Sequence, residues 1–75
     1  MKSAEEMFAE LGYVKIIDNN EYELTYKHKV HFNEITFCLK GKKISCDNGC
    51  GKSILIDTYE LQAINQQINE LSWIE

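Results

Sequence analysis

Asp57-Thr58-Tyr59-Glu60-Leu61-Gln62-Ala63-Ile64-Asn65-Gln66-Gln67-Ile68-Asn69-Glu70-Leu71 is the stretch whose reading decides the fold. Asp57 with Glu60 three residues on is a capping-box-like pair, whose side chains satisfy backbone N–H groups left open at a helix start. Leu61, Ile64, Ile68 and Leu71 then recur at spacings of three and four, while Gln62, Asn65, Gln66, Gln67, Asn69 and Glu70 fill the other positions. The pattern predicts an amphipathic C-terminal helix with one stripe on a sheet and the rest toward water or a polar partner.

The N-terminal end carries the same kind of signal. Ser3 and Glu6 form a second capping box, Ala4, Met7, Phe8 and Leu11 lie on one helical face, and Gly12 supplies a left-handed stop. A helix over about residues 4–11 follows.

Between the helices the period changes from helical to alternating. Tyr13 to Ile17 is β-branched and aromatic, and Asp18-Asn19-Asn20 suits a tight reversal. Glu21 to Lys27 alternates, with Tyr22, Leu24 and Tyr26 on one face, so one side of the sheet is expected to be wet. Alternation resumes at Val30 and Phe32, then at Ile35, Phe37 and Leu39 in a different phase, which requires a bulge or turn near Asn33-Glu34. Gly41-Lys42 reverses the chain into Lys43-Ile44-Ser45-Cys46, residues 47–52 read as loop, and Ser53 to Ile56 reads as a short final strand.

These elements predict an α+β fold, an antiparallel β-meander of four to five strands with an N-terminal and a C-terminal helix on one face. The expected inward set is Met7, Phe8, Leu11, Leu24, Phe37, Leu39, Leu61, Ile64, Ile68 and Leu71.

The 75 residues are read as one domain, 1–75, near the lower size at which a core alone stabilises a chain. The acidic start of the chain and the lack of a long apolar run point to the cytoplasm, with no membrane partner. A net charge of −4 disfavours nucleic acid as a partner, although the central lysines, Lys27, Lys29, Lys40, Lys42, Lys43 and Lys52, leave room for a basic face on the sheet.

Three cysteines, Cys38, Cys46 and Cys50, are an odd number without framework spacing and read as thiols. With His28 or His31 they are the weak candidates for a zinc site, as half of the usual ligand pattern. A Cys–His nucleophilic pair lacks any spacing that requires it. Gly49 to Ser53 resembles the tail of a phosphate-binding loop, yet Cys46 stands where the motif needs glycine and a strand follows where it needs a helix. No catalytic set and no cofactor are therefore expected, and the chain reads as a non-enzyme. Tyr59, Trp73 and Ile74 are the candidate partner-binding residues, and the terminal pair Trp73-Ile74 either closes the core or docks elsewhere.

The segments Ser3 to Tyr13 and Glu60 to Trp73 resemble the two ends of small uncharacterised proteins encoded by phages and prophages of Gram-positive bacteria, with Ser72 in place of an expected glycine. The resemblance covers about a third of the chain and implies a phage origin without implying any catalytic residue. Together these readings predict an accessory protein that binds a host or phage protein in the bacterial cytoplasm, inhibition of a host or defence enzyme being one form of this. A small metal- or nucleic-acid-binding module built on the central Cys and Lys residues is the alternative, and a homodimer is compatible with either.

Overall fold

Both capping boxes form. Glu6 N–H donates to Ser3 Oγ at 3.2 Å and opens α1 (Ala4–Glu10), and Glu60 N–H donates to Asp57 Oδ1 at 2.8 Å and opens α2 (Thr58–Glu70). The computed structural model describes residues 2–16, 22–48 and 55–73. Between the helices lie β1 (Tyr13–Lys15), β2 (Glu23–His28), β3 (Glu34–Cys38) and β4 (Lys43–Asp47), an antiparallel sheet in chain order. The architecture is α+β, as the change of period requires.

Register sorts the sheet into two faces. Tyr13 lies opposite His28, Tyr26 opposite Ile35, Leu24 opposite Phe37, and Cys46 and Ile44 opposite Ile35 and Phe37 in turn. Both helices cover this face, and the buried core draws on all of these layers: Ala4 and Phe8 from α1, Tyr13, Tyr26, Ile35 and Phe37 from the sheet, Ala63 and Ile64 from α2. Phe8 is its centre, stacked on Tyr26 with ring centroids 4.0 Å apart and edge-on to Tyr13 and Phe37. The two helices also pack against each other, where Ala4 N–H at the start of α1 donates to Glu70 Oε2 at 2.6 Å.

The outer face is polar. Thr25 and Thr36 lie opposite each other with hydroxyls 3.2 Å apart, and Ser45 continues the row. Beside it Lys27 lies next to two acids, Glu34 and Asp47, which face each other. On the other side Glu23 and Lys43 flank Cys38, so lysines and acids are mixed on this face and no basic face forms among these residues.

Each helix closes on a left-handed residue. Gly12 has φ +92° after α1. After α2, Ser72 N–H donates to the Asn69 carbonyl and Trp73 N–H to the Ile68 carbonyl, the Schellman pattern, with Ser72 at φ +58°. That turn throws Trp73 back onto Phe37, their centroids 6.1 Å apart.

Several expectations need correction. Leu61 is 50% exposed, because the buried stripe of α2 is rotated toward Ala63, Ile64 and Gln67, the last being buried as the hydrogen-bond partner of Tyr26. The remaining members of the inward set are buried or packed on the core, and Ala4, Tyr13, Tyr26, Ile35 and Ala63 join them. Val30 and Phe32 belong to no strand: residues 29–33 form the loop that changes the phase, closed where His28 N–H donates to the Asn33 carbonyl at 2.9 Å. Tyr22 precedes β2 and is exposed, and Ile16 falls just outside β1. Leu55 and Ile56 form no strand and lead directly into the cap of α2, while Ser53 and Ile54 lie outside the described residues, as do Ile17, the Asp18-Asn19-Asn20 reversal and the Gly49 to Lys52 loop.

Candidate functional site

Three elements that are distant in sequence meet at one end of the molecule: the first turn of α2, the start of β1 with the end of β2, and the loop 29–33. They surround a cleft of about 180 Å³ lined by Leu11, Tyr13, His28, His31, Asn33, Asp57 and Glu60.

Glu60 is the pivot. One carboxylate oxygen accepts the Asp57 N–H at 3.3 Å to complete the capping box, and the other accepts the Tyr13 hydroxyl at 2.6 Å, joining helix to sheet. Burial, and then the hydrogen bond to Glu60, push the Tyr13 phenol well above its usual value; Asn33 opposes this in part by hydrogen bonding to Tyr13. Cys46, on the covered face close to Glu60, has its thiol pushed up by burial first and by that carboxylate second. A thiol held in its protonated form is a poor nucleophile.

His28 is fixed from both nitrogens. Its Nδ1 accepts the N–H groups of Val30 and His31, each at 3.1 Å, so Nε2 carries the proton and donates to the Leu11 carbonyl at 3.1 Å. The ring thus shapes the loop and ties it to the end of α1. Its centroid lies 5.0 Å from that of Tyr13 and 4.7 Å from that of His31, which is exposed at the mouth of the cleft.

Cys38 and Cys46 are on opposite faces of the sheet, since Cys38 pairs with Lys43, three residues before Cys46. They do not converge on a common ligand, Cys50 lies outside the described residues, and among the described residues no group of three His, Cys, Asp or Glu side chains is placed to hold a metal ion. Trp73 is partly buried and closes the core; Ile74 lies outside the described residues. Tyr59 is 67% exposed and lines a second groove of about 170 Å³ with Lys2, Met7, Glu10, Leu11 and Gln62.

Sequence reasoning passed over Val30, Phe32 and Leu55 as surface groups, having assigned all three to strands. Their exposures are 79%, 73% and 88%. Val30 and Phe32 flank His31 on the loop, and Leu55 stands two residues before Asp57, so exposed apolar residues adjoin in sequence two of the segments that line the cleft. The phase break between Phe32 and Ile35 was the signal that could have released the first two from the sheet.

Among the described residues no helix is long and apolar enough to cross a membrane. Comparison with protein families, with curated proteins and with solved structures finds no match.

Proposed function

We propose that this chain acts by binding a protein, through the end of the molecule that holds the cleft. The observation that carries this reading is the exposure of Val30, Phe32 and Leu55 on segments that adjoin the hydrogen-bonded cleft, with Tyr59 exposed at the groove that shares Leu11 with it. Large apolar side chains left in water forgo stabilisation that burial would give, on the order of 1.5–3 kcal/mol each when fully covered. Grouped on a small domain beside polar groups they suit a partner better than solvent. The likeness of both helical ends to phage and prophage proteins makes a host or phage protein the proposed partner, and inhibition of a host or defence enzyme a form the binding would take. The metal- or nucleic-acid-binding alternative has less support, given that Cys38 and Cys46 lie on opposite faces and that acids stand among the lysines of the outer face.

Affinity capture from a Gram-positive host lysate, infected and uninfected, with the wild-type chain and with a Phe32→Ser/Leu55→Ser variant tests this. The variant is expected to keep its circular dichroism and melting temperature. Its affinity for the purified captured protein should fall by about tenfold or more. Equal affinity in the two chains would remove this end of the molecule as the binding surface.

A further inference from the structure

β4 reads Lys43-Ile44-Ser45-Cys46-Asp47 and is the last strand of the sheet, its far side paired with no strand among the described residues. An edge strand is a template for another strand, and a lysine on it ordinarily discourages pairing. Here the lysine at one end is matched by an aspartate at the other, and both lie on the outer face with Ser45 between them.

We propose that β4 is a homodimer edge, pairing antiparallel with β4 of a second copy about a two-fold axis through Ser45. In that register Ser45 faces Ser45 of the second copy and Lys43 faces its Asp47, twice by symmetry. Ile44, exposed at the border of the helical layer, faces Cys46, and every inner residue meets an inner residue. Slipping the register by one residue sets inner against outer side chains, and slipping it by two separates the charges, so one alignment satisfies both face and charge. The Asp47 carboxylate, with two acceptor oxygens, can take this lysine beside contacts within its own chain. The same arrangement explains an edge that is charged yet not uniformly charged: Lys43 opposes wrong pairings, and Asp47 admits this one. The result is an isologous eight-stranded sheet with the helices of both copies on one side.

Charge reversal tests it. By sedimentation velocity and native mass spectrometry the wild-type chain should form a dimer. Lys43→Asp alone and Asp47→Lys alone should each weaken it by about tenfold or more, as two attractive cross-strand pairs become repulsive. The double variant Lys43→Asp/Asp47→Lys should restore it, which also guards against loss of folding in the single variants. Ser45→Cys in a Cys38→Ser background should give a disulfide-linked dimer under mild oxidation, whereas Lys29→Cys in that background should not, because residues facing each other across an antiparallel pair lie within disulfide reach. A monomer at high micromolar concentration overturns the proposal, as does a dimer indifferent to both single reversals.

Discussion

The hydroxyl of Tyr26 donates to Oε1 of Gln67 at 2.6 Å inside the core, so the one buried polar side chain among the described residues is held by the central strand. This bond turns α2 so that Gln67 rather than Leu61 faces the sheet. Tyr26→Phe leaves the buried amide oxygen without its donor and should cost about 1–3 kcal/mol in urea unfolding. Tyr26→Phe/Gln67→Met removes both partners at similar volume and should recover much of that loss. Additive losses would mean that the bond does not set the helix face.

Ser72 occupies a left-handed position that glycine takes without penalty, as the closing residue of the Schellman turn. Ser72→Gly is therefore expected to stabilise the chain by about 1 kcal/mol, seen as a higher melting temperature. An unchanged or lower value would show that the extra freedom of glycine in the unfolded chain outweighs the strain relieved.

Gly12 has the opposite sensitivity. A Cβ there would lie 2.7 Å from His28 Nε2, and that ring is held by three hydrogen bonds. Gly12→Ala adds left-handed strain to displacement of the ring and should cost about 2–3 kcal/mol. In Gly12→Ala/His28→Ala the clash is gone and only the backbone strain should remain, so the double variant is expected to lose less than the two single losses summed.

Alkaline pH should unfold the chain in a defined window. Burial first, then Glu5 and Glu70, push the Tyr26 phenol up to about 12, and Tyr13 is raised as well. A phenol raised in the folded state stabilises fully below its unfolded value near 10 and loses that contribution as pH rises through the folded one. Stability should thus begin to fall near pH 9, where the Cys46 thiol raised by burial starts to contribute, and fall further above about pH 10, by on the order of 2 kcal/mol for Tyr26 alone. Denaturant titrations from pH 8 to 12, with tyrosinate absorbance followed in parallel, check this, and Tyr26→Phe should show a shallower fall.

Glu60 serves the helix cap and the sheet at once. Glu60→Ala should cost more than Ser3→Ala, which breaks only a cap, typically worth about 1 kcal/mol. Equal losses in thermal unfolding would show that the Tyr13 hydroxyl finds another partner at no cost.

The helix ends were legible because capping is local chemistry: Ser3 with Glu6 and Asp57 with Glu60 act within one turn, and Gly12 stops α1 as its position suggested. The change from helical to alternating period likewise specified a meander between two helices. These features depend on neighbours a few residues away, and the amino-acid sequence by itself determined them.

Tertiary structure decided the rest, because it depends on which distant groups meet. The face that α2 buries follows from a hydroxyl 41 residues earlier in the chain. The separation of Cys38 and Cys46 onto opposite sheet faces follows from the register that sets Cys38 against Lys43, and the cleft exists only where Tyr13, His28, Asn33 and Glu60 converge. Periodicity tells a residue which side of its own element it occupies. The rotation of that element, and the partners waiting there, are set by packing and hydrogen bonds that form only when the whole chain comes together.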